Sequence, residues 1–321
     1  MRQLGFFAVM TMAVLTAGAA HAQTVGFATG PQGTPTHATG SAIAKVVNEA
    51  SGLQTRAVPY TANEVAMAPL NQGSVDFNIA NGDIAYAALN GVDIYEGSKL
   101  GNIRIVTRLF PLNLGIIVRK DSGIRTAADL KGRCYPAGFT AQKAQVKVAT
   151  ALLANAGLTY DDVKGRPVPS TTRGAEDFSQ GKCDSAMMAL GAARLKQTDA
   201  QVGGLRILPI DTSPEAIARM KKHVPHFDAY VYEIKAGALP GADVTTPIMS
   251  YDVILVASTQ TKDDIVYKTV KAMHEGKDKL AAVTPILRDF APAKMYTDYE
   301  GLPYHPAAIK YYKEAGVALS K

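Results

Sequence analysis

The alternation of short apolar strands with helical segments over residues 24–89 is the sequence feature that most constrains the fold. In the first predicted helix Ile43, Val46 and Val47 recur at helical spacing, and Gly52 marks its end. A β-α-β-α-β-α order builds a parallel sheet with right-handed crossovers. The predicted strands cover residues 24–28, 55–59 and 75–80, and the predicted helices cover residues 41–50, 64–72 and 83–89.

Residues 29–40 are predicted to be a loop, rich in Gly, Pro and Thr, between the first strand and the first helix. Thr39 or Ser41 is the expected cap of that helix. Because the loop feeds a helix N-terminus, it is suited to binding an anion. Its glycines, Gly30, Gly33 and Gly40, are equally consistent with tight turns and no ligand.

A second alternation follows without obvious sequence similarity to the first, and it indicates a second α/β lobe. A helix over residues 141–155 ends near Gly157, and a shorter helix covers residues 176–180. The strands of this half are predicted at residues 133–137, 166–169 and 184–190.

Two extended apolar segments, residues 104–119 and 252–257, are predicted to connect the lobes. The simplest topology crosses near residues 111–115 and returns near residues 246–252, which makes a hinge of two strands. Lobe one then comprises residues 23–112 plus 250–321, and lobe two comprises residues 113–249. With a single linear linker instead, roughly the last 70 residues would belong to lobe two. The predicted fold class is therefore α/β, with two lobes that are each a mostly parallel sheet flanked by helices and are joined by a two-strand hinge.

Residues 1–22 are predicted to be a secretion signal that is cleaved after Ala22. Arg2 precedes an apolar run over residues 4–20, and the run closes on the small-x-small pattern Ala20-His21-Ala22. This run is short of the roughly 20 residues that span a bilayer. No comparable apolar run follows, so we expect an exported protein that acts outside the cytoplasm and does not itself span the membrane.

Composition excludes several classes of function. A hydrophobic content of 47% excludes a disordered chain. The net charge of +6 is spread without a basic run, which argues against nucleic acid and weakly favours a small anionic solute. The sequence has no G-x-G-x-x-G or phosphate loop, and no G-x-S-x-G, H-E-x-x-H or C-x-x-C motif. We therefore expect no enzyme activity, no cofactor and no metal.

Cys134 and Cys183 are the only cysteines. In an oxidising compartment an isolated pair is expected to form a bridge rather than a metal site, with two separate buried thiols as the alternative. The first and third strands of lobe two are neighbours if the first strand lies in the middle of its sheet. That order makes a Cys134–Cys183 disulfide geometrically plausible.

Loops at the carboxyl ends of the strands are the predicted ligand site, because the crevice of an open parallel sheet lies there. Arg173 could pair with a carboxylate or simply be a solvated surface arginine. Asp83 could hold a ligand amine or cap a helix. The candidate ligand-binding residues of these loops are Gly33, Thr34, Thr36, His37, Tyr60, Thr61, Asn63, Asn81, Asp83, Thr140, Gln142 and Arg173.

Three stretches of the chain resemble the TAXI family of TRAP-transporter solute receptors. They are the loop at residues 29–40 with the helix that follows, residues 72–86 with Asn90-Gly91, and the tail at residues 302–314. The tail is the most specific part, and weaker agreement extends over nearly the whole mature chain. The pocket departs from the family pattern at Thr36-His37-Ala38, at residues 61–63 and at residues 81–83, where the family commonly has Tyr-Tyr-Pro, Gly-Gly-Ser and Gln-Ser-Asp.

The resemblance implies a periplasmic, two-lobed binding protein of type II-like topology. Such a receptor closes around a small organic acid and passes it to TRAP-type membrane subunits. It places ligand contacts on the first loop, on residues 61–63, on Asn81 and Asp83, and on residues 138–142. We expect such a receptor to be a monomer. The alternatives are a receptor for another transporter class, a solute sensor, or an enzyme on the same scaffold.

Overall fold

The computed structural model describes residues 24–225, 229–299 and 301–319, so the predicted signal at residues 1–22 lies outside the described residues. The strands are β1 (Val25–Thr29), β2 (Thr55–Pro59), β3 (Phe77–Asn81), β4 (Ile103–Arg119), β5 (Cys134–Gly138), β6 (Lys164–Val168), β7 (Ser185–Ala189), β8 (Leu205–Ile207), β9 (Tyr230–Ile234) and β10 (Thr246–Ser258). The α-helices are α1 (Pro35–Ser51), α2 (Met67–Asn71), α3 (Gly82–Asn90), α4 (Ala144–Asn155), α5 (Thr171–Ser179), α6 (Ala193–Val202), α7 (Pro214–Lys221), α8 (Asp263–Glu275), α9 (Lys277–Val283) and α10 (Pro306–Glu314). The predicted α/β alternation is thus confirmed in both halves of the chain.

The main sheet is mixed rather than purely parallel. Strands β2, β1 and β3 pair in parallel, and β10 and then β4 continue the sheet in antiparallel pairs. Strands β7 and β8 pair antiparallel with the second half of β4, whereas β9 pairs antiparallel with the first half of β10. Strands β5 and β6 form a separate parallel pair. The sheet therefore changes its set of partner strands part-way along β4 and β10.

Strands β4 and β10, which we call the crossing strands, pair side by side through that change of partners. Met249 lies opposite Leu114, and Asp252 lies opposite Pro111. Strand β3 pairs with residues 253–257 of β10, whereas β9 pairs with residues 246–250. The predicted crossings near residues 111–115 and 246–252 fall in this stretch. The division into lobes at residues 112/113 and 249/250 stays a prediction.

The first helix begins earlier than predicted. Thr34, and neither Thr39 nor Ser41, is the cap of α1, and its Oγ1 accepts a hydrogen bond from the backbone N–H of His37 at 3.3 Å. Pro35 follows as the first helical residue, where its fixed φ suits the helix and its missing N–H costs nothing. The predicted loop at residues 29–40 was therefore too long. Gly52 ends the helix in the left-handed conformation, as predicted.

The glycines of the first loop have different structural roles. Gly33 has φ of +81° and lies in a tight turn that favours glycine. Gly40 instead lies inside α1, where an added Cβ would lie 2.3 Å from Thr29 Cγ2 and 3.2 Å from Ile79 Cδ1. Its lack of a side chain lets α1 approach β1 and β3 closely. This contact fixes the start of α1 at the carboxyl end of β1.

The predicted bridge between Cys134 and Cys183 is present, with the two Cα atoms 5.0 Å apart. The strand order predicted for this half was only partly right, because β7 pairs with β4 and not with β5. Strand β5 is held beside β7 by side chains instead. The N–H of Cys134 donates to Asp184 Oδ2 at 2.7 Å, and Ser185 Oγ donates to the carbonyl of Cys134 at 2.9 Å.

The largest apolar core surrounds the parallel strands and continues along the crossing strands. Phe27 of β1 and Phe77 of β3 stack in it with ring centroids 4.7 Å apart. A smaller core lies under β7, β8 and β9, around Ile117 and Phe178. Across the described ranges, the helices are all too short or too polar to cross a membrane.

Candidate functional site

A cavity lies at the carboxyl ends of β1, β2 and β3, where the fold brings their loops against the crossing strands and the start of α4. It offers about 80 Å³ to the centres of water-sized molecules. Since one water needs roughly 10–15 Å³ by this measure, the cavity has room for a small molecule and not for a nucleotide or a peptide. This is the position that open parallel sheets give to a ligand.

The wall formed by the first loop and α1 is polar and internally hydrogen-bonded. Thr34 Oγ1 donates to the carbonyl of Pro31 at 2.6 Å, and Thr36 Oγ1 donates to Asn63 Oδ1 at 3.2 Å. The backbone N–H of Gly30 donates in turn to Thr36 Oγ1 at 3.2 Å. Both threonines and Asn63 line the cavity. Their mutual bonds hold this wall in one arrangement before any ligand arrives.

The floor of the cavity is built on β3 and the crossing strands. Asn81, at the end of β3, donates from Nδ2 to the hydroxyl of Tyr251 on β10 at 3.1 Å. Both residues are buried, and burial raises the pKa of the Tyr251 hydroxyl well above its usual value. Leu112 and Leu114 of β4 add apolar surface beside them. The floor can thus contact both apolar and polar parts of a ligand.

The opposite wall comes from α4, α5 and β7 and contributes Gln142, Gln145, Thr171 and Ala189. Gln142 Oε1 accepts from the backbone N–H of Thr171 at 3.0 Å. The N–H of Ala144, at the start of α4, donates across the cavity to Glu64 Oε1 at 3.4 Å. Burial raises the pKa of Glu64, partly offset by its backbone hydrogen bonds.

A second link between the two walls lies behind the cavity. Lys147 Nζ of α4 contacts Asp83 Oδ2 at 2.9 Å and Asp93 Oδ2 at 3.1 Å. Burial alone would lower the pKa of Lys147, but the two carboxylates raise it above its ordinary value. Asp83 is therefore paired with a protein cation, and Asn81, not Asp83, is the cap residue of α3. One of the polar loop residues predicted from sequence, Asp83, is thus an ion-pair partner of Lys147.

Five of the candidate residues predicted from sequence line the cavity. The structure brings together Thr34, Thr36, Asn63, Asn81 and Gln142. The remaining candidates lie outside the lining, and these are Gly33, His37, Tyr60, Thr61, Asp83, Thr140 and Arg173.

Two of the outlying candidates are engaged with other protein groups. His37 lies in the first turn of α1, with Nδ1 3.1 Å from Thr29 Oγ1. Arg173 lies in α5 and pairs with Asp177 at 3.3 Å and Glu176 at 3.6 Å. Of the two alternatives for Arg173, contact with a ligand carboxylate or a solvated surface position, its half-exposed side chain fits the second.

Glu64, Gln145 and Tyr251 line the cavity but were not among the residues predicted from sequence. Glu64 reads as the first residue of a helix, and Gln145 as part of the first turn of α4. Tyr251 belongs to an apolar crossing strand, where a core position is the ordinary expectation. The carboxyl-end rule could have found Glu64 by extending the loop after β2 by one residue.

The described residues contain no group of three or more His, Cys, Asp and Glu side chains that could hold a metal ion. A Ser or Cys nucleophile beside a histidine does not occur in the described lining. The arrangement can hold a small polar molecule by hydrogen bonds, with apolar contacts from the two leucines.

Superposition on solved structures identifies the class of fold. A structure of PhnD1 from Prochlorococcus marinus MIT 9301 with methylphosphonate superposes with a TM-score of 0.56, at 9% identity over 92% of this chain and 99% of that chain. A protein of Bordetella bronchiseptica RB50 gives 0.52, at 15% identity over 91% and 98% of the two chains. The substrate binding protein of an amino acid ABC transporter gives 0.50, at 11% identity over 83% and 99%. The fold is that of the two-lobed solute-binding proteins, which confirms the fold class predicted from sequence.

The family follows from the sequence itself. Residues 27–316 match the NMT1-like family, a span that takes in every element from β1 to α10 except the first two residues of β1. This protein belongs to the NMT1-like family.

Proposed function

We propose that this protein is a solute-binding receptor that holds one small polar molecule in the cavity and delivers it to a membrane transporter. The observation that carries the proposal is the cavity at the carboxyl ends of the strands, which several polar side chains line and whose walls come from both sides of the crossing strands. Its fold is one that solved substrate-binding proteins of transporters also have.

The contacts across the cavity support a closing mechanism. On the predicted division, α4 belongs to lobe two, whereas Glu64, Asp83 and Asp93 belong to lobe one. The bond from the Ala144 N–H to Glu64 and the pairs of Lys147 then join the lobes. A ligand that bridges both walls favours this closed arrangement through the contacts it makes only there.

We assign the protein to the periplasm, on two observations. The first is the predicted signal at residues 1–22. The second is the Cys134–Cys183 disulfide, a bond that persists in oxidising compartments. An enzyme on this scaffold is the weaker candidate, since the polar groups of the described lining are mostly amides and hydroxyls bonded to one another.

The class of transporter is a finer proposal with two candidates. The sequence resemblance favours TRAP-type membrane subunits, whereas the name of one structural neighbour mentions an amino acid ABC transporter. Cross-linking the receptor in intact cells and identifying the attached membrane proteins by mass spectrometry decides between them. Recovery of no membrane subunit of either type would instead favour a solute sensor.

A thermal-shift screen of small polar metabolites tests the proposal. A ligand at 100 times its dissociation constant stabilises the folded state by about 2.7 kcal/mol, which raises the melting temperature by several degrees.

For the ligand found, Asn81→Ala should weaken binding by about tenfold, because a buried amide at the cavity floor is lost. His37→Ala is the matched control, since His37 lies outside the lining, and its affinity should equal that of the wild type. A screen without any shift, or an Asn81→Ala variant with unchanged affinity, would refute the proposal.

A further inference from the structure

The charge balance of the cavity is acidic. Glu64 is the only Asp, Glu, Lys, Arg or His side chain in its described lining. Lys147 of α4, behind the opposite wall, is held by Asp83 and Asp93 at 2.9 and 3.1 Å. Within the described lining an anionic ligand would therefore meet a carboxylate and no cation, although the chain as a whole carries a net charge of +6.

Two buried amide oxygens of the cavity have no hydrogen-bond partner. Asn81 Oδ1 and Gln145 Oε1 are both inaccessible to solvent and unpaired, and both residues line the cavity. Asn81 is only 4% exposed, and its orientation is set by the bond from Nδ2 to the Tyr251 hydroxyl. Buried acceptors are costly when unpaired, so these two oxygens favour a ligand that brings donors.

Four of the donors around the cavity already bond to protein acceptors. The N–H of Thr171 donates to Gln142 Oε1, and the N–H of Ala144 donates to Glu64 Oε1. The hydroxyls of Thr34 and Thr36 donate to the carbonyl of Pro31 and to Asn63 Oδ1. Toward a ligand these two hydroxyls can therefore act only as acceptors. These four donors are therefore engaged within the protein and not directed at a ligand.

We infer that the cavity takes a small neutral or positively charged solute that carries several N–H or O–H donors, such as an amine or an amide, and that Glu64 is its acidic contact. This inference rests on the proposed function and names the ligand class of the same site. It replaces the small organic acid that the sequence resemblance implies. In this arrangement Asn81 Oδ1 and Gln145 Oε1 accept from the ligand, and the carboxylate of Glu64 favours its positive charge.

The test is a thermal-shift screen of the mature protein with three sets of probes of similar size, followed by calorimetric titration. The anionic set contains succinate and malonate, the neutral set succinamide and urea, and the cationic set 1,4-diaminobutane and ethanolamine. Stabilisation is expected from the neutral or cationic set.

Glu64→Gln keeps the shape of the side chain and an acceptor for the Ala144 N–H. It should reduce the ratio of the affinity for 1,4-diaminobutane to the affinity for succinate by about tenfold, because a charged contact is lost. Glu49→Gln, at an exposed position near the end of α1, is the matched control and should leave the ratio unchanged.

Each outcome bears on one of the two proposals. Tighter binding of succinate or malonate than of the other sets overturns the ligand class but supports the receptor function. An affinity ratio that Glu64→Gln leaves unchanged overturns the role of Glu64. If no probe and no compound of the wider metabolite screen stabilises the protein, the receptor function itself is overturned.

Discussion

Replacing Asp252 with alanine is expected to lower the free energy of unfolding by about 3–5 kcal/mol, because it leaves a buried arginine without its counter-charge. Arg108 of β4 donates from Nε and from an η nitrogen to the two oxygens of Asp252 on β10, both at 2.7 Å. The hydroxyls of Tyr230 and Tyr299 donate to the same carboxylate at 3.2 and 2.7 Å. The Arg108 and Asp252 side chains are only 14% and 10% exposed, so water cannot replace the lost partner.

Urea unfolding followed by circular dichroism measures this effect. Lys271→Ala is the control, because it breaks an exposed pair with Glu275 on α8 and should cost less than about 1 kcal/mol. The Asp252 carboxylate joins the two crossing strands near the point where the sheet changes partners. A loss below about 1 kcal/mol in Asp252→Ala would mean that the network does not stabilise this junction.

Removing the disulfide by replacing both Cys134 and Cys183 with serine is expected to cost about 2–4 kcal/mol. The bridge closes a loop with a sequence separation of 49, and the chain-entropy account gives about 4 kcal/mol for such a loop. The effect falls on the unfolded state, which regains conformations that the bridge excludes.

Equilibrium unfolding of the oxidised wild type and the double serine variant measures the difference. Reduction of the wild type with dithiothreitol should lower its stability to that of the variant, and the variant itself should not respond to the reductant. Equal stability of all three forms would show that the bridge adds nothing to the fold.

The architecture could be predicted from sequence because each element carries its own local signal. Strand β2 was predicted at residues 55–59, which are its bounds in the structure. The two crossing strands were predicted from long apolar, β-branched segments, and the bridge from an isolated cysteine pair. The pairing of β7 with β4, and not with β5, could not be read from sequence, since strand order depends on contacts between distant segments.

The early start of α1 shows how local signals compete. Thr34 followed by Pro35 is a standard helix start, but the density of Gly, Pro and Thr in residues 29–40 favoured a loop. That error displaced His37 from its actual place in the first helical turn. It also concealed the role of Gly40, whose packing against Thr29 depends on tertiary contact.

The ligand-binding residues stay a prediction, and the structure shows which of them line one cavity. The carboxyl-end rule located the loops, and five of their polar residues line the cavity. It could not tell which polar side chains are bound by the protein, so Arg173 was expected at the ligand although it pairs with Asp177 and Glu176. Tyr251 reaches the cavity only because β10 pairs with β3, a contact between residues far apart in the chain.

The central claim is that the cavity holds one small solute per chain, and calorimetric titration with the best ligand of the screen tests it most directly. The stoichiometry should be one, and Ala189→Phe, which fills the cavity wall at the end of β7, should weaken binding by about a hundredfold or more. Ala128→Phe adds the same side chain at an exposed position outside the lining and should bind like the wild type. Binding by Ala189→Phe that matches the wild type would place the solute elsewhere and contradict the account.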